Sequence, residues 1–298
     1  MDAALLAAVE DAAAHGVALR TRLLAGAPEL LARHRRELPQ RDDLCGAFCA
    51  ALALRAGGID RHDNEPLDQD TVALAAGSVV SRVPDPSILP DGEPGRRDYR
   101  LPIPLIDDGK LSGTTAAGVM RALELIGAGG SLEAIAFSGP WTPRTLDALF
   151  DRCETFSRPV ALLANHATHH LWGSSASTEQ LVAHLLHGTA EGPAPDWDVG
   201  HFACVVARSE GPGGSLYALA DTYPALGRGG VHLQPRERLA AALARPDMPA
   251  GGMIVLVDAR DAAELRAGAS AAGLEEGLWD NGSIEAVEVD AADEAEGG

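Results

Sequence analysis

Lysine is all but missing from this sequence: Lys110 is the only one in 298 residues, and arginine supplies the other positive charges. Acids outnumber bases 43 to 24, for a net charge of −19. Nucleic acid is therefore not an expected partner, because a phosphate backbone is bound by clustered Lys and Arg. An anionic membrane surface would be repelled. Aromatic residues are scarce, at 4%, so the core has to be built mostly from Leu, Val and Ala. Four cysteines in so long a chain do not make a disulfide scaffold. No run is long and apolar enough to span a bilayer. The start, Met1-Asp2-Ala3-Ala4 with Glu10 and Asp11 soon after, has neither the basic residues nor the unbroken apolar stretch of a secretory signal. A cytoplasmic chain with reduced thiols is expected. A phosphate-binding glycine loop is missing too: Gly127, Gly129 and Gly130 follow a helical pattern and lack the lysine and the preceding strand that such a loop needs. No cofactor is implied.

What is present suits a globule. The hydrophobic fraction is 46%, and the length allows a large core. Residues 2–37 read as helix with a break near Ala25-Gly26-Ala27-Pro28, and an alanine-rich apolar run predicts a second helix from Cys45 to Arg55. From 57 to 113 prolines, glycines and aspartates dominate, which predicts a long connection with short strands, such as Thr71–Val83, that covers substrate or forms a subdomain. Helices are expected at Thr114–Ile126, Thr142–Ser157, Ser177–His187 and Arg236–Arg245. Strands are expected at Leu132–Phe137, Pro159–Ala164, His201–Ala207, Ser215–Asp221 and Met253–Val257. Helices come first and hairpin-paired strands later, an α+β pattern. We expect one domain over 1–284, with a helical part to about residue 60, a sheet-bearing part from 114, and a disordered acidic tail from 285.

The densest chemistry surrounds Gln40-Arg41-Asp42-Asp43-Leu44-Cys45-Gly46. A thiol at the start of a helix meets the positive end of the helix dipole, which favours the thiolate. Downstream lie Gly200-His201-Phe202 and Ala220-Asp221-Thr222, on the two arms of a predicted hairpin. A turn centred on Gly211-Pro212 would set His201 directly opposite Asp221, with Cβ atoms about 5 Å apart. An acid beside a histidine fixes its tautomer and stabilises the imidazolium. Such a histidine near Cys45 would serve as its base. Gly46 lets backbone N–H groups approach a developing oxyanion, and the Gln40 amide is a candidate second donor.

Helix-initiating Cys-Gly after a Gln, then Gly-His-Phe on one strand and Ala-Asp-Thr-Tyr on the next, resembles the papain-like cysteine peptidases. The nearest branch is the double-glycine peptidases that process bacteriocin precursors, with their free-standing relatives. The resemblance implies a papain-like fold with Cys45 as nucleophile, His201 as base, Asp221 as its orienting partner and Gln40 in the oxyanion hole. It further implies hydrolysis of a peptide, or of an amide or thioester small molecule, through a thioester acyl-enzyme, in peptide or natural-product maturation. Transfer of the acyl group to an amine, or a non-catalytic binding role on the same scaffold, are the alternatives. The gap from Gln to Cys is five residues here and six in the family. Cys49, one turn beyond Cys45, is the rival nucleophile.

Two other features invite function. Asn165-His166-Ala167-Thr168-His169-His170 brings three histidines together, enough to consider zinc, but no familiar ligand spacing accompanies them; a place on the surface or lining the cleft is the expectation. Trp172 and Trp197 precede His201 and suit a pocket wall or a core cover. Cys153 and Cys204 read as core.

Overall fold

The computed structural model describes residues 19–128 and 131–286. In chain order its strands and helices are β1 (Arg20–Leu23), α1 (Ala27–Glu37), α2 (Cys45–Ala56), β2 (Arg61–His62), β3 (Glu65–Pro66), α3 (Gln69–Ala76), β4 (Val80–Ser81), β5 (Leu105–Ile106) and α4 (Ala116–Gly127). They continue as β6 (Leu132–Gly139), α5 (Pro143–Glu154), β7 (Ala161–Ala167), α6 (Thr178–His187), β8 (Gly200–Glu210), β9 (Ser215–Ala220), β10 (Val231–Pro235), α7 (Arg236–Ala244), β11 (Gly252–Asp258), α8 (Ala259–Ala272) and β12 (Glu275–Glu276). This is an α+β architecture.

One sheet organises the molecule. Its strands run in the order β10-β9-β8-β7-β11-β6-β12, with β1 added to the far end of β8, and all its pairings are antiparallel. The central strands β7 and β11 are buried at every position. A strand with no solvent face has to be covered on both sides, which explains their unbroken apolar sequences, Ala161-Leu162-Leu163-Ala164 and Met253-Ile254-Val255-Leu256-Val257. On one side α2 packs on β7 and β8 while α1, α3 and α4 gather around it; on the other, α7 and α8 meet the sheet and α5 bridges them. Helix α2 is buried from Gly46 to Leu54. Its run of alanines is what lets a helix sit that close to a sheet and to three neighbouring helices at once.

The structure corrects several expectations. The stretch 2–18 lies outside the described residues, and the part that follows opens with a strand: Arg20–Leu23 pairs with Ala207–Glu210. Within Thr71–Val83, Thr71–Ala76 belongs to helix α3 and only Val80–Ser81 is strand. Asp68 caps α3 by accepting from the Thr71 N–H, and Gly77, with φ at 66°, ends it in the left-handed conformation. That capping and C-terminal glycine outweighed the β-branched residues. Helix α8 went unread, although Asp258 caps it and Gly273 terminates it. Strand β10 also went unread, because only its partner β9 makes it a strand. Nor does order stop at 284. Glu285 accepts hydrogen bonds from Thr115, the N-cap of α4, and from Arg121 in its middle, and the Ala286 N–H reaches the Gly77 carbonyl. The tail from 287 lies outside the described residues.

Candidate functional site

Cys45 is the first residue of α2, and no side chain caps that helix, since Leu44 occupies the N-cap. The first-turn N–H groups are thus left to whatever occupies the space in front of them. Gly46 sits in a tight place: a Cβ there would lie 3.1 Å from Thr114 and Val119 and 3.3 Å from Phe202, so these neighbours would have to give way. Cys45 is partly exposed, whereas the rival Cys49 is fully buried. Burial and the neighbouring Cys204 push the Cys49 thiol well up, and the Cys204 Sγ lies 3.9 Å from the Cys49 carbonyl. Cys49, Cys153 and Cys204 are core groups.

His201 stands near the start of β8 and Asp221 immediately after β9, and the His201 Nε2 is 2.9 Å from Asp221 Oδ1. The strand register is not the expected one. The turn closes with Gly211 donating to the Gly214 carbonyl, and a bulge between Val205 and Ala207 leaves Cys204 opposite Ala220. Asp221 is therefore diagonal to His201. The offset from the expected register is an even number of residues, so both side chains stay on one face of the hairpin and the contact forms at the diagonal position. With Nε2 taken by Asp221, Nδ1 is the nitrogen left for the sulfur, and Cys45 lines the same cleft as the ring, near enough to favour its protonated form.

Asp221 is held from several directions. Its Oδ1 also accepts from the Thr222 N–H at 2.7 Å, its Oδ2 meets His232 Nε2 at 3.1 Å, and His34 donates to its carbonyl. Gln234 settles the His232 tautomer. Its Oε1 accepts from the Trp172 N–H, and its Nε2 donates both to the Trp172 carbonyl and to His232 Nδ1. His232 Nδ1 is thereby an acceptor, and its Nε2–H donates to Asp221. Burial opposes ionisation of Asp221, but the His201 charge and the two histidine hydrogen bonds hold it well below the usual carboxylate range. Burial likewise opposes protonation of His201, and the Asp221 charge and hydrogen bond, together with Cys45, overcome it and raise its pKa to about 10. His34, His232 and Gln234 were missed in the sequence. The detectable signal was parity: His232 lies opposite Leu219, on the face that carries Asp221.

In front of these groups is a cleft of about 310 Å³, lined by Gln40, Cys45, Asn165, Trp197, His201 and Tyr223 among others. Trp197 lies against His201, with ring centroids 4.8 Å apart, and shields the His201–Asp221 bond from water; Trp172 is buried behind, at Gln234. Gln40 is buried, its Nε2 donates to the Tyr223 Oη at 2.8 Å, and its Oε1 has no partner. Oxyanion donation requires the amide turned over, so that Tyr223 donates to Oε1 and Nε2 is released, a change that keeps every heavy atom in place.

The 57–113 segment holds this loop in position. Gln69 Oε1 accepts from the Arg41 N–H, Arg41 pairs with the buried Asp70 at 2.9 Å, Asp42 exchanges bonds with Arg96, and Tyr99 donates to the Asp42 carbonyl. Lys110 and Ser112 reach the cleft itself. The histidine-rich stretch divides. Asn165 Nδ2 donates to the His201 carbonyl. His166 is buried directly opposite His201. His169 and His170 contact the two oxygens of Asp247 at 2.9 and 3.1 Å, a trio whose candidate ligand atoms lie within 4.8 Å of one another; His166 is not part of it.

The fold and site thus define an α+β protein in which a cysteine at a helix start and a histidine share one cleft, with a buried carboxylate bonded to the histidine behind it. A family model matches residues 24–280, and the chain belongs to that family, described as a family of unknown function (DUF6885). No curated protein matches the chain.

Proposed function

We propose that this is a papain-like cysteine-nucleophile hydrolase, a peptidase or amidase acting on a peptide or small amide in a reducing, cytoplasmic setting. The observation that carries the proposal is that His201, bonded to the buried Asp221, lines one cleft with Cys45 at an uncapped helix start. For attack the thiol proton passes to His201, giving a thiolate–imidazolium pair. The sulfur attacks the amide carbonyl carbon, and the C=O electron pair moves onto oxygen, where the Cys45 N–H and the turned Gln40 amide receive it. Collapse of this intermediate breaks the C–N bond, and the imidazolium gives its proton to the leaving amine. Neutral His201 then takes a proton from water as it attacks the thioester, the C–S bond breaks, the acid is released and the resting site is restored. Asp221 orients the ring and stabilises its charge throughout.

Alkylation with iodoacetamide near neutral pH, mapped by peptide mass spectrometry, tests this. Cys45 should react at least about a hundredfold faster than Cys49, Cys153 and Cys204, and His201→Gln should erase that advantage. Uniformly slow labelling of all four thiols refutes the proposal and leaves a binding role for the scaffold.

A further inference from the structure

The sequence marked Arg245 only as the end of a helix, yet it belongs to the same cleft. Only 3% of it is exposed. Its Nη1 donates to Asn165 Oδ1 at 2.7 Å, its Nε has no partner, and among the described residues no carboxylate forms an ion pair with it. Burial lowers its pKa to about 10, against the pull of Cys45 and Asp247. A buried guanidinium without an anion is costly, because its desolvation is not offset by a partner.

The fold nevertheless makes room for it. A Cβ on Gly200 would lie 2.7 Å from Nη2, and one on Gly251 would lie 2.5 Å from the Arg245 Cδ. The glycine of the Gly-His pair is therefore the seat of the guanidinium. Arg245 also has φ at 43°, at the helix end where glycine would cost least. A residue kept in that conformation for its side chain points to a ligand. The remaining charges agree. Of the charged groups lining the cleft, only Asp43 is acidic, and its carboxyl accepts from the Ser81 N–H. Lys110, the only lysine, lies on the rim without an ion-pair partner among the described residues.

We propose that Arg245 is a specificity residue that receives a carboxylate of the acyl donor, so that the cleft selects substrates with a free carboxylate close to the scissile carbonyl. An acidic side chain and a chain-terminal carboxylate share this chemistry. The proposal rests on Cys45 being the reactive group of the cleft. A competing role for Arg245, stabilising the thiolate alone, makes a different prediction.

The test compares iodoacetate with iodoacetamide, reagents of nearly equal shape that differ by one negative charge. Both lose iodide as the S–C bond forms, so the ratio of their rates cancels the thiolate fraction. For wild-type Cys45 the ratio should exceed that of N-acetylcysteine by about tenfold, fall toward the N-acetylcysteine value in Arg245→Gln, and be retained in part by Arg245→Lys. Should Arg245→Gln fail to fold, protection decides: millimolar glutarate should slow iodoacetamide labelling of wild-type Cys45, and glutaramide should not. Fast labelling with a ratio indifferent to Arg245, or equal protection by the two compounds, overturns the carboxylate subsite and leaves the nucleophile intact. Slow labelling by both reagents defeats the proposed activity itself. Peptide substrates then separate the two sources of carboxylate: one set carries an internal Glu or Gln, the other a free or amidated C-terminus.

Discussion

His166 and His201 sit directly opposite each other on adjacent strands, with ring centroids 5.7 Å apart, and both are fully buried. They are driven in opposite directions. Burial, aided by the His201 charge, lowers His166 to about 3, while His201 is raised to about 10 against the same burial. His166 has only the Ala164 carbonyl at Nδ1 and nothing at Nε2. His201 has Asp221, itself fixed by Thr222 and His232. Burial alone therefore makes a histidine inert; one anchored carboxylate turns the same environment into a site that holds a proton at neutral pH.

The sharpest way to break the comparison is to exchange the two. His201→Gln should slow iodoacetamide labelling of Cys45 at pH 7 by about 10²–10⁴-fold, and His166→Gln should change it only a few-fold; equal effects would dissolve the distinction. Next in size is Asp221→Asn, which leaves the buried imidazolium without its counter-charge and should destabilise the fold by about 3–5 kcal/mol in denaturant titration. The contribution of the raised His201 is complete below its unfolded value of 6.5 and is lost as pH climbs to about 10; that of the lowered Asp221 exists above its unfolded value of 3.8. The gap between wild type and Asp221→Asn should thus be widest between these two unfolded values and close toward alkaline pH.

His166 has the reverse sign. Below 6.5 the unfolded chain takes up a proton that the native state refuses down to about 3, so stability falls on acidification. His166→Phe should remove about 1.4 kcal/mol per pH unit from that slope, and an unchanged acid limb would show that another group controls it. Smallest is Cys49→Ala, a cavity under α2 that should cost about 1–2 kcal/mol and leave Cys45 labelling as it was; a large loss of labelling would make Cys49 part of the chemistry.

How legible each part was follows from the range of the forces involved. Helix α5, with its Thr142 cap and Pro143, and α6, with its Ser177-to-Gln180 capping box, are set by neighbours in the chain and could be read there. So could the short apolar strands β7 and β11. The 57–113 segment read as a loop because its fixtures are distant: Gln69, Asp70, Arg96 and Tyr99 find their partners in 41–42, and no local periodicity records that. The hairpin register failed for a similar reason, since a bulge is decided by what the strands pack against.

The sequence by itself determined the residue types and the parity: a cysteine at a helix start, and a histidine and an acid on one face of a hairpin, because the strand period of two and the helix dipole are properties of the local backbone. Tertiary structure alone decided which buried histidine keeps a proton, which cysteine meets the cleft, and that Arg245 reaches it between Gly200 and Gly251. Electrostatics in a low-dielectric interior depends on distances of a few ångströms, and the groups that set those distances lie tens to hundreds of residues apart in the chain.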